Sequence, residues 1–221
     1  MKKLITICLV LVCVLSTVST VLADDLYPPT WRGLPGTVTA EWDSWTGFGY
    51  MMYPDSWNSN PGLPYPPDSY AYNGTTLLPE YNGRTNVIEL TGDRQIDFWL
   101  PNFDNENPYK DVWIQVTYYA VSGDQYSSVD AYAYMAEVTE PVLITEYSYE
   151  GGWYTDVWNL QIRPNPEWEL IYVNFTAGVG GTEPLYPAYL DQVVIDTICV
   201  PEPATICLLG LGAVSLIRRK K

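Results

Sequence analysis

The sequence predicts an all-β protein, an antiparallel β-sandwich with a helix at each end. Three observations predict it. The stretch from Asp24 to Cys199 is rich in Tyr, Trp, Val and Thr, is punctuated by Pro and Gly, and shows no long 3.6-residue periodicity. The chain opens Met1-Lys2-Lys3 and continues mostly apolar from Leu4 to Leu22. It closes with an apolar run from Ala204 to Ile217, followed by Arg218-Arg219-Lys220-Lys221. The expected organisation is therefore a signal peptide at 1–23, a β-sandwich domain at 24–199 and a tail at 200–221 carrying a membrane helix at 204–217.

The strands follow in order. Thr37 to Asp43 is the first. Tyr50 to Leu77 is read as a long ordered loop, because its five prolines and its Asn, Ser and Gly residues argue against regular structure. Arg94 to Leu100 alternates, with Ile96, Phe98 and Leu100 on one face. Asp111 to Ala120 is the clearest strand, with Val112, Ile114, Val116 and Tyr118 together. Val129 to Val138 sets Tyr132 and Tyr134 against Ala131, Ala133 and Met135. Pro141 to Tyr149, Trp153 to Arg163, Glu167 to Thr176 and Tyr189 to Cys199 complete the set. Such a series of short strands suggests a jelly roll, with an up-and-down barrel as the alternative.

Both termini read as membrane signals. Val21-Leu22-Ala23 suits signal peptidase, with cleavage between Ala23 and Asp24 after passage through the Sec machinery. Val12 before Cys13 argues against a lipoprotein signal, and the rival reading is an uncleaved N-terminal helix. At about 1.5 Å per residue the run Ala204–Ile217 is about 21 Å long. That is short of a hydrocarbon core of about 30 Å, so the helix is a marginal span aided by snorkelling cations and a thinned bilayer. The terminal cations stay cytoplasmic and the segment between the two signals is translocated.

Composition removes several function classes. The region 24–200 holds only Arg32, Arg84, Arg94, Lys110 and Arg163 against all the acids but Glu202, a formal charge of −20. Nucleic-acid binding is excluded, since nothing is available to neutralise phosphates. There is no histidine, so imidazole bases, Ser-His-Asp triads and zinc–histidine sites are ruled out. Cys8 and Cys13 fall in the signal and Cys207 in the anchor, with Cys199 beside the tail. No disulfide framework follows, and the domain must rest on its core.

The order Val200-Pro201-Glu202-Pro203, apolar helix, basic stop resembles the PEP-CTERM sorting tail of bacterial exported proteins. That resemblance implies an exosortase-type processing enzyme, a membrane cysteine transpeptidase-like protein, acting near Pro201-Glu202-Pro203. It also implies a transient inner-membrane anchor, followed by a cell-surface or extracellular destination. Pro29-Thr30-Trp31-Arg32-Gly33, Tyr109 to Gln115 and Val194-Ile195-Asp196-Thr197 are laid out similarly to a group of planctomycete-type exported proteins, a likeness that carries no activity.

Two candidate sites emerge from the body. All nine Trp lie there, and sugars stack on Trp and Tyr faces while carboxylates and amides hold hydroxyls. Trp45, Trp57, Tyr65 and Tyr70, in or beside the long loop, are the ligand-binding candidates, although the same residue types also build a disulfide-free core. Tyr189 to Asp196 resembles the closing strand of galactose-binding-like jelly rolls. By that resemblance Asp191 joins Glu41 in a structural calcium site; the alternative is a bare turn Asp. The functional expectation is a non-enzymatic exported protein associating with matrix or polysaccharide. The alternative is a small glycan-active enzyme using two carboxylates.

Overall fold

Thirteen strands and no helix make up the described residues of the computed structural model, which are 25–45, 51–71, 74–91, 94–103, 107–121, 125–149, 151–176 and 186–200. The signal segment with its Ala23/Asp24 junction, the motif residues Pro201, Glu202 and Pro203, and the segment 204–217 lie outside them. Among the described residues no helix is long and apolar enough to cross a membrane.

The strands are β1 (Thr37–Trp42), β2 (Ser56–Asn60), β3 (Asp68–Ala71), β4 (Thr75–Tyr81), β5 (Arg84–Leu90), β6 (Gln95–Pro101) and β7 (Tyr109–Tyr119). They continue as β8 (Ser127–Ala133), β9 (Glu137–Val138), β10 (Val142–Ser148), β11 (Trp153–Arg163), β12 (Trp168–Phe175) and β13 (Ala188–Val200). The large sheet runs β10-β11-β7-β13-β1-β2, with β5 beside β13, β4 beside β5 and β9 beside β11. The small sheet runs β3-β6-β12-β8. Every pairing is antiparallel.

Two expectations need correction. The stretch from Tyr50 to Leu77 is not irregular, because it contains β2, β3 and the start of β4. Its prolines fall between the strands, and β2 and β3 sit at sheet edges, where few backbone donors are required. The expected strand Val129–Val138 is broken at Met135, which adopts φ 57°, so β8 belongs to the small sheet and β9 to the large one.

One core joins the two sheets. Ala40 and Trp42 of β1, Ile114 and Val116 of β7, and Val193 and Ile195 of β13 meet Ile96 and Phe98 of β6 and Ile171 and Val173 of β12, all buried. Trp42 packs edge-on to Phe98 with ring centres 4.7 Å apart, and its indole N–H donates to the Met52 carbonyl at 3.3 Å. This period-2 burial is the reason β6, β7 and β12 alternate in sequence.

The outer face of the large sheet is also covered over its central strands, which explains why β13 is buried on both sides. Residues Asp25 to Arg32 lie across it. The Trp113 indole donates to the Tyr27 carbonyl at 2.9 Å, and Gln115 both accepts from Tyr27 N–H and donates to Asp25. Arg32 bridges Asp25 and buried Asp196, and Thr39 donates to the same Asp196 carboxylate at 2.6 Å. Beside this segment the β4–β5 hairpin adds an aromatic layer, in which Tyr81 stacks on Tyr189 at 3.7 Å and Trp153 and Tyr119 meet edge-on. The outer face of the small sheet has no comparable cover among the described residues.

Candidate functional site

The uncovered face is built by alternate residues of four strands, so its chemistry is set by register. Tyr172 of β12 lies between Asp97 of β6 and Asp130 of β8, with Tyr70 of β3 beyond Asp97. On the next rung Leu170 lies between Trp99 and Tyr132, with Asp68 beyond Trp99. On the other side Asn174 lies between Gln95 and Ser128. Trp168 closes one end, its ring 6.1 Å from Tyr132 and tilted 46°. The face therefore mixes aromatic rings with carboxylates, amides and hydroxyls on a rigid sheet.

Two adjoining clefts mark it. One, of about 400 Å³, is lined by Gln95, Asp97, Asp130, Tyr172 and Asn174. The other, of about 670 Å³, shares Asp130 and Asn174 and extends to Val138, Thr139, Glu140 and Pro141. Gln95 donates to the Asp97 carboxylate at 2.6 Å and fixes its orientation. The Tyr172 hydroxyl is pushed above its ordinary range, first by burial and then by the carboxylates of Asp97 and Asp130. It remains a neutral donor at any physiological pH. Burial also pushes the Asp68 carboxyl up.

Of the four expected ligand aromatics, only Tyr70 lies on this face. Trp45 is fully buried with φ 48°, and its indole donates to the Asp191 carbonyl at 2.6 Å, so its ring belongs to the core. Trp57 sits on edge strand β2 opposite Ala40, 37% exposed, and Tyr65 is 67% exposed in the connection to β3. Sequence reasoning passed over Trp99, Tyr132, Trp168 and Tyr172 as ligand candidates. The signal was present in the alternation: Trp99 and Tyr132 stand opposite the apolar residues of their own strands, and that places them outside the core.

Glu41 and Asp191 are both engaged by protein groups. Glu41 accepts from Ser56 and from Gln192, at 3.0 and 2.8 Å, and Asp191 is paired with Arg84. Among the described residues no three Asp, Glu, Cys or His side chains are grouped to hold a metal. Calcium requires six to eight oxygens, and a carboxylate already held by a guanidinium does not fit such a cage.

Val200, the first residue of the tail motif, is the last residue of β13 and pairs with Tyr109 of β7. Residues 200–221 match the family model of the PEP-CTERM protein-sorting motif. No curated protein and no solved structure matches the chain. The chain thus carries a PEP-CTERM sorting tail, a motif that implies export, a transient membrane anchor and sorting by an exosortase.

Proposed function

We propose that the exported body is a non-enzymatic carbohydrate-associating sandwich of the jelly-roll kind, acting at the cell surface or in the extracellular matrix. The antiparallel pairs β1–β13, β6–β12 and β7–β11 alternate large sheet, small sheet, large sheet, as a jelly-roll ribbon winds. One observation carries the functional part. Aromatic rings at the outward positions of β6, β8 and β12 stand on the small sheet between groups that hydrogen-bond hydroxyls. Outward aromatics cost solvation unless something covers them, and a sugar's apolar C–H face is a suitable cover.

The test is a glycan-binding titration of the mature protein with Trp99→Ala, Trp168→Ala and, as a control, Trp57→Ala. The first two should each weaken binding by about tenfold, equivalent to ~1.4 kcal/mol. The control should bind as wild type does. Loss confined to Trp57→Ala would move the site to the edge of the large sheet.

A second reading draws on Asp97 and Asp130, which flank Tyr172. Strand spacing puts their backbones about 10 Å apart, close to the separation of an inverting carboxylate pair, roughly 6.5–9.5 Å. Sugar release abolished by Asp97→Asn or Asp130→Asn would favour the enzyme.

A further inference from the structure

We infer that the end of the sandwich from which the tail leaves is a bilayer contact surface in the anchored chain, where the loop tips carrying Leu34, Tyr65, Tyr134 and Met135 enter the lipid headgroup layer. The inference rests on the membrane anchor that the sorting tail implies and is independent of the carbohydrate reading. Strand β13 ends at Val200 and the apolar run begins at Ala204. Four residue steps reach at most about 14 Å, so the end of the sandwich around Val200 stays at the bilayer surface for as long as the tail is inserted. Exposed apolar side chains such as Tyr126 occur at the far end too. Exposure alone selects neither end; the reach of the tail does.

Three connections share that end. Cys199 N–H donates to the Gly36 carbonyl at 2.9 Å, which puts the turn carrying Leu34 beside the exit. The link 61–67 between β2 and β3 packs Leu63 with Val38 and Cys199 and displays Tyr65. Tyr134 and Met135 lie between β8 and β9, and β9 pairs with Ile162 and Arg163 at the end of β11. In the large sheet β2 lies two strands from β13 on one side, and β9 three strands away on the other. At about 4.8 Å per strand the tips flank the exit by about 10 and 14 Å. Tyr65 is 67% exposed and Met135 81%. Met135 adds a second observation. It is third in a turn closed by Ala136 N–H on the Ala133 carbonyl at 3.4 Å, with φ 57°, a place that suits Gly or Asn. A long apolar side chain is thus kept at a backbone cost in a position where it packs against almost nothing in the sandwich. The headgroup layer covers such a side chain and is where Tyr rings settle. Glu137 and Glu167 are exposed at the same end, so the contact draws on apolar burial and not on anionic lipid. The tether holds these few side chains at high local concentration. A contact too weak to retain a free body therefore orients an anchored one, and cleavage releases it.

The test uses the anchored chain, purified from the membranes of a host without an exosortase and reconstituted in phosphatidylcholine vesicles. Cys8→Ser, Cys13→Ser and Cys207→Ser leave only the buried Cys199, so a nitroxide goes to an introduced thiol. On Tyr65→Cys or Met135→Cys the nitroxide should respond several-fold more to lipid-soluble oxygen than to a water-soluble nickel chelate. On Tyr126→Cys, at the far end, it should show the reverse. Tyr65→Ser combined with Met135→Gly should return a nitroxide on Leu34→Cys to water, while Met135→Gly alone unfolds thermally at or above the wild-type midpoint. Water access at 65 and 135, equal lipid access at 126, a Leu34→Cys probe unmoved by the double variant, or a lowered midpoint in Met135→Gly overturns the inference. Shielding that develops only when an exosortase is added assigns this end to the enzyme and overturns the bilayer contact. A chain that does not stay with the vesicles overturns the anchor and the inference together, and leaves the carbohydrate reading standing.

Discussion

Asp156 of β11 shows how burial alone sets a charge state. Its carboxyl is inside the sandwich, accepts from the Ser127 hydroxyl of β8, and has one oxygen with no partner. Burial pushes it up to about 6 against the hydrogen bonds from Ser127 and Tyr118 that pull it down. The folded form therefore holds a proton that the unfolded chain has released by pH ~4. The resulting stability is present below that pH and is lost as pH rises through about 6, at a cost of about 3 kcal/mol. Asp156→Asn keeps the shape without the ionisation. Urea unfolding should show the variant gaining on wild type between pH 4 and 7, and a gap constant over that range would mean that Asp156 does not titrate as described. Lys110 and Glu169 are the contrasting case. They are fully buried and paired across the two sheets, with burial raising the Glu169 carboxyl and Lys110 opposing it. Neither position was legible in the sequence as buried, because a lone Lys and a lone Glu in alternating strands read as solvent-facing. The site aromatics were partly legible for the opposite reason. Their parity marks them as outward, but parity does not tell which sheet face a later segment will cover.

Turns fix the hairpins in this fold, and two glycines there separate strain from crowding. Asn82 and Gly83 join β4 to β5 with φ of 45° and 84°, the signature of a type I′ turn, and the Asn82 amide also donates to the Gly151 carbonyl at 2.6 Å. A Cβ added at Gly83 meets nothing, so Gly83→Ala should cost about 1–2 kcal/mol of backbone strain. Gly152, before β11, has φ 88°, and an added Cβ would lie 2.9 Å from the Tyr119 ring. Gly152→Ala should therefore cost more, by a further ~1–3 kcal/mol of overpacking. Equal midpoints in urea for the two variants would show that the aromatic layer gives way freely. The same hairpin shows where the sequence was readable and where it was not. The strands β7, β11, β12 and β13 are long and carry their alternation or apolar run over many residues, and their expected limits match the observed ones within a residue or two. By contrast β2 is polar, β3 is four residues long, and β4 contains Pro79. Their order comes from neighbours distant in the chain, which local propensity does not encode. Asn82-Gly83 was the one local sign of β4 and β5.

At the scale of the whole molecule, the two sheets are treated differently. The central strands of the large sheet are covered by Asp25–Arg32 and the β4–β5 layer, while the small sheet has no comparable cover among the described residues. The tail departs from the most protected element: β13 lies between β7 and β1, is buried nearly throughout, and ends at Val200. Pro201 and Pro203 have no N–H with which to extend the ladder, so the sequence itself separates the body from its processing motif. Two consequences follow. Among the described residues the buried apolar clusters end at Cys199, so a stop codon after Val200 should leave thermal unfolding within a few degrees of wild type, about 1 kcal/mol or less. Folding and sorting would then be separable, and the truncated protein should leave the membrane fraction entirely and escape processing. A truncated form that stays membrane-bound would place the anchor elsewhere in the chain. A truncated form that unfolds would show that residues beyond Val200 support the sandwich, and that processing must then act on a body whose last strand it destabilises.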